Sequence, residues 1–197
     1  MRLAPALFLI AITAGAWNHF STRAVSHSDG IIAPDDPVQV DRSGLPSFSV
    51  DDYQITPAAE FSLEARVLST EKYHTGREAD LSPFDLALGW GPMSDSAVLD
   101  KLNISQGNRF YFYSWPDQPP IPQSEIAEHS ANMHMIPANE EIKKRLDKVR
   151  VGQVVQLSGY LVRVQAPGGW HWDSSMTRTD SGNGACELVW VENVSVH

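Results

Sequence analysis

The chain has 197 residues, 24 acidic against 15 basic side chains for a net charge of -9, 42% apolar residues and one Cys. Six Trp, five Tyr and seven Phe spread along it exclude a disordered chain. The acid excess and the lack of a basic stripe exclude a nucleic-acid backbone as partner. The single Cys186 excludes an intrachain disulfide and a lipid-modified amino-terminal cysteine.

At the amino end Arg2 precedes Leu3 to Trp17, an uncharged run that closes on the small residues Ala14-Gly15-Ala16. This is the layout of a secretory signal peptide. Read instead as a retained anchor over residues 1–20, a helix from Leu3 to Phe20 would span roughly 27 Å, close to the ~30 Å of a bilayer core. Trp17 and Phe20 beside His19 and Arg23 fit an interfacial belt. The charge before the run keeps the amino terminus cytoplasmic and places the rest outside. The expected location is therefore the inner membrane, facing the periplasm, or the periplasm itself if the segment is cleaved. Contact with the membrane is expected through this segment only.

Residues 21–52 hold Pro34, Pro37, Pro46, Gly30 and Gly44 without a sustained period and read as an extended linker, with Ile31-Ile32 as the place where it can pack on the domain. The globular domain is expected over 53–197. Phe61, Leu63, Ala65 and Val67 alternate with polar residues as in a half-buried strand. Ser82-Pro83 followed by Asp85 predicts a short helix stopped at Gly89, and Val98, Leu99 and Leu102 predict a second one. Arg109 to Trp115 reads as an aromatic strand ended by prolines. Ser124 caps a predicted helix that carries Ile126, Ala127, Ser130 and Ala131, and Asn139 caps another with Ile142, Leu146 and Val149 on one face.

Gln153 to Val164 reads as a long strand whose apolar phase flips at Gly159, a signature of a bulge or sharp coil. Pro167-Gly168-Gly169 turns it back into Trp170 to Asp173. A polar loop, 174–185, leads to a last strand from Cys186 to Val194. Short curved strands with helices between them predict an α+β fold: a small antiparallel β-barrel or strongly bent sheet of OB or SH3 type with short helices.

Two sets of residues are candidates for a site. Cys186 with His134 and Asn132 contains the residue types of a thiol hydrolase, although a strand position and the adjacent Glu187 favour a structural Cys. Trp170, Trp172, Ser175, Arg178 and Asp180 combine an aromatic floor with hydroxyls, a guanidinium and a carboxylate suited to a small polar or glycan-like ligand. A competing reading pairs Arg178 with Asp180 and leaves the hydroxyls to their own loop. His129 and His134 stand five apart, not the four that would place two zinc ligands on one helix face, and reaching His171 or Cys186 would require further coincidences. No metal and no cofactor is expected. Gly-flanked Trp90 reads as core. The first reading is thus a non-enzymatic domain that binds an envelope protein or small polar ligand, and the second is an envelope thiol hydrolase.

The stretches 88–95 (LGWGPMSD), 129–138 (HSANMHMIPA) and 184–192 (GACELVWVE) resemble an uncharacterised family of bacterial envelope proteins with an amino-terminal apolar segment and one small domain. The resemblance implies an envelope setting and carries no activity or site.

Overall fold

A computed structural model describes residues 23–42, 44–177 and 185–197. The apolar run near the amino end, Arg178 and Asp180 lie outside the described residues. Among the described residues no helix is long and apolar enough to cross a membrane. The fold is α+β, dominated by a large mixed sheet with a few short helices.

Strands β1 (Val38–Asp41) and β2 (Phe48–Val50) both pair with β3 (Tyr53–Lys72). The 21–52 stretch is therefore not a free tether in its described part: it adds two strands to the sheet, and its Ala33 is fully buried. Strand β3 buries Ile55, Ala59, Phe61, Leu63, Ala65 and Val67 at period two. Its register shifts at Pro57 and again at Val67, and bulges of this kind bend a strand. The second shift buries Leu68 directly beside Val67, against a different cluster that contains Ala87, Met93 and Ile126.

Helix α1 (Arg77–Leu81) precedes β4 (Phe84–Gly89), every residue of which is buried. This corrects the expected helix at Ser82-Pro83. A residue before proline is driven out of the α region, and Ser82 sits at φ -122°, ψ 85°, so the helix ends where it was expected to begin. A 3-10 turn (Gly91–Ser94) and helix α2 (Ser96–Leu99), capped by Asp95, lead to the hairpin β5 (Asn103–Gly107) and β6 (Phe110–Ser114).

Helix α3 (Gln123–Glu128) is followed by β7 (Ser130–Pro137), where the helix was expected to continue. It stops because Ser130 Oγ turns back to donate to the Ile126 carbonyl, while Met133 and Met135 alternate with Asn132 and His134 on a strand covered on both faces. Asn139 caps helix α4 (Glu140–Leu146) as expected, accepting from the amides of Glu141 and Ile142. Ile142, Leu146 and Val149 enter the main core.

Strand β8 (Val154–Ala166) turns into β9 (Trp170–Asp173), and β10 (Glu187–Val196) ends the fold. The irregularity expected at Gly159 lies in its partner: β10 shifts register between Val191 and Asn193. Gly159 makes room for it, since a Cβ there would run into the Trp190 carbonyl. Pairings run β3–β4, β4–β7, β7–β10 (parallel), β10–β8, and β8 returns to β3 along Gln54–Arg66. Phe61, Leu86, Met133, Leu157 and Val189 fill the space between them.

Candidate functional site

Successive residues of a strand point to opposite faces, so β4 and β7 send Leu86 and Met133 inward and Asp85, Asn132 and His134 outward. Asp85 and His134 are register partners. The β5–β6 hairpin closes over this outward face with a two-residue turn, Asn108-Arg109, at φ 53° and 68°. Two left-handed residues make the turn type that matches strand twist, yet Arg has to bear the strain of that backbone, of order 1 kcal/mol or more.

The Arg109 side chain explains why the strain is tolerated. Its Nη1 donates to Asp85 Oδ1 (2.6 Å), Nη2 donates to the Ser82 carbonyl (2.9 Å), and Nε lies 3.7 Å from Glu78 Oε2. The guanidinium stacks 3.7 Å from the centre of the Tyr73 ring, and the Arg109 amide donates to Tyr73 Oη. On the other side His134 Nδ1 donates to the same Asp85 Oδ1 (2.9 Å). A fully buried carboxylate thus carries two nitrogen donors on one oxygen. Burial pushes the Tyr73 phenol above its ordinary range, against the Arg109 amide, which pulls it down.

Cys186 and Asn132 join this assembly. The Cys186 thiol donates to the Arg109 carbonyl (3.8 Å), and Asn132 Nδ2 donates to that carbonyl (2.9 Å) and lies 3.9 Å from the sulfur. Gln106 Nε2 donates to Asn132 Oδ1 (2.6 Å). Asn132 and Asp85 thus link Cys186 to His134 in one cluster. The thiol proton is held toward a carbonyl, and His134 Nδ1 is oriented by a carboxylate. Asp85, Arg109 and Tyr73, which tie the cluster together, were not singled out from the sequence. Two signals were available: a lone acid in the apolar run Phe84–Gly89, and a polar Asn-Arg pair between alternating strands.

Of the residues proposed for ligand binding, Trp172 lies against the His134 ring (centroids 4.9 Å) and 5.5 Å from the Arg109 guanidinium. Trp170 contacts Tyr53 and Trp172 edge-on and has the Arg77 guanidinium 5.7 Å from its ring centre. Ser175 is buried, and its Oγ accepts from the Thr177 amide and donates to the Thr177 carbonyl, within its own loop. His129 is a helix-end residue bonded to the Glu125 carbonyl, and His171 is exposed with Nδ1 3.5 Å from the Gly169 carbonyl. Among the described residues no group of His, Cys, Asp and Glu is placed to hold a metal.

Beside the cluster opens a cleft of about 340 Å³ lined by Tyr73, Thr75, Gly76, Arg77, Glu78, Asn108, Arg109 and Trp170. Helix α1 and its preceding turn form one wall, the tip of the β5–β6 hairpin another, and the start of β9 a third. Arg109 is balanced by Asp85 and Glu78. Among the described residues Arg77 makes no ion pair, so it is the cation this cleft presents. A larger cleft, about 700 Å³, lies beside α4 and is lined by Asp35, Asp36, Glu64, Glu141, Glu192 and Arg145 among others, with no aromatic wall.

No family model matches the chain, and neither a curated protein nor a solved structure is found to match it.

Proposed function

We propose that the domain is a closed five-stranded barrel of the OB type (β3, β4, β7, β10, β8) that binds, without transforming, a small acidic saccharide in the cleft between Tyr73 and Trp170. The cyclic pairing with one parallel step, β7 to β10, supports the barrel. The loop after the first barrel strand and the hairpin after the fourth then flank the cleft, where folds of this type place their ligands. The observation that carries the reading is the pairing of two partly buried aromatic rings with a cation left for a ligand. Tyr73, one face of which is stacked on Arg109, and Trp170 line the cleft as apolar surface for sugar C–H groups, Arg77 beside the Trp170 ring meets a carboxylate, and Thr75, Asn108 and Glu78 supply hydrogen-bonding partners. We place the domain outside the cytoplasm, in the bacterial envelope, on the strength of the apolar segment at 3–17.

Calorimetric titration of the full chain in detergent with a glucuronate-containing disaccharide and with its carboxyl-reduced counterpart tests the reading. Binding of the acidic sugar, at least fivefold tighter than the reduced one, is expected. Heat changes indistinguishable from dilution for both sugars would overturn it.

A further inference from the structure

The amino-terminal strap is bolted to the turn between α4 and β8. The Val25 amide donates to the Val151 carbonyl (2.8 Å), His27 Nε2 donates to the Gly152 carbonyl (2.7 Å), and Arg150 Nη1 donates to the Arg23 carbonyl (3.3 Å). Gly152 has φ +87°, and a Cβ on it would collide with the Val25 carbonyl, so strap and turn meet backbone to backbone. Further along, Gly30 donates to Asp95, the amides of Ile32 and Ala33 donate to Ser94 Oγ, and the Ala33 carbonyl accepts from Gly91. The point where the chain leaves the domain is thereby fixed at the turn after α4.

Only residues 18–22 separate Trp17 from Arg23, a reach of at most about 20 Å when fully extended. The surface at this exit differs from the rest of an acidic protein. It carries Arg23, Lys148 and Arg150, with Lys144 one helical turn before Lys148, and the exposed Val151 at its tip, 37% accessible. Lys144 and Lys148 make no ion pair among the described residues, whereas Lys72, Lys143 and Arg145 are all held by carboxylates. The carboxylates Asp35, Asp36, Glu64, Glu141 and Glu192 gather at a separate cleft.

We propose that the Arg23–Lys148–Arg150–Val151 corner is a membrane-facing surface that rests on phospholipid headgroups, so that the domain stands with the start of β8 toward the bilayer and its Gln165 end away from it. This rests on the reading of residues 1–20 as a retained anchor. The occupant follows from where the chain goes: an apolar run that enters the bilayer and a rigid strap with at most about 20 Å between them leave this corner as the nearest part of the domain. Cations then meet lipid phosphate, and Val151 meets the interface. Strand β8 runs from Val154, beside this corner, to Ala166, beside Trp170 and at the far end of the strand, whereas Tyr73 follows Lys72, whose Nζ is bonded to Asp147 next to Lys148.

The test uses full-length chain in vesicles of phosphatidylethanolamine and phosphatidylglycerol. In a Cys186→Ser background a fluorophore is attached at Val151→Cys, at Lys148→Cys as a second low-site variant, or at Gln165→Cys at the far end of β8, and quenched by headgroup-spin-labelled lipid. At least twofold stronger quenching at Val151 and Lys148 than at Gln165 is expected, reduced when Lys144 is made Glu. Equal quenching, or stronger quenching at Gln165, in protein that floats with the vesicles would overturn the orientation and leave the anchor standing. Protein that does not float with vesicles would overturn both the anchor and the orientation.

Discussion

Asp85 and His134 face each other across β4 and β7, with His134 Nδ1 donating to Asp85 Oδ1 at 2.9 Å in a site where the carboxylate is fully buried. Arg109 reaches the same oxygen from the tip of the β5–β6 hairpin, so one carboxylate joins the main sheet to the hairpin that covers it.

Removing that carboxylate charge leaves a guanidinium without its shortest ion pair in a largely buried place. Breaking a buried pair from one side costs about 3–5 kcal/mol. Asp85→Asn is expected to lower unfolding free energy by an amount in this range, measured by urea denaturation at neutral pH. Adding Arg109→Met to Asp85→Asn is expected to recover part of the loss. A loss no larger than that of an average exposed substitution would show that Asp85 does not hold the hairpin.

Tyr111 gives an alkaline dependence. Burial is the main cause that pushes its phenol up to about 12 from an ordinary 10.0, with a hydrogen bond to Ser130 acting the other way. The unfolded chain releases this proton first, so between about pH 10 and 12 the unfolded state binds fewer protons and stability falls as pH rises, by up to about 1.4 kcal/mol per pH unit. Tyr111→Phe is expected to remove that share of the loss, leaving the share due to Tyr73 and Tyr53, both also raised by burial. Identical slopes for the two proteins across this range would contradict the burial of the phenol.

Gly159 sits where β8 passes the irregular step of β10, and a side chain there meets the Trp190 carbonyl. Backbone has little room to yield. Gly159→Ala is expected to cost about 1–3 kcal/mol, as overpacking does. Gly168→Ala, at a turn with open space, tests the contrast: it pays only for its φ of +84°.

The parts of this fold legible in the sequence are those with one wet face. Phe61, Leu63, Ala65 and Val67 alternate because β3 buries one side there, and Asn139 announces α4 because a cap is a local device. Strands β4 and β7 are covered on both faces, so the alternation that identifies a strand is muted, and Ser and Pro signals were read as helix starts instead. The site was legible as residue types, not as an assembly. His134, Asn132 and Cys186 lie in one cluster, linked by Asp85 from one strand and Arg109 from a hairpin turn, an arrangement set by long-range pairing. Trp170 and Trp172 were found from local sequence because a two-residue spacing on a strand puts both rings on one face.

The most direct test of the ligand cleft is the affinity of the acidic disaccharide for the full chain compared with Trp170→Ala and Arg77→Gln, each shown to unfold at the same urea concentration as the parent. Loss of a stacking face or of a carboxylate's cation is expected to weaken binding about tenfold in each variant, close to 1.4 kcal/mol. Unchanged affinity in both would contradict recognition in the cleft between Tyr73 and Trp170.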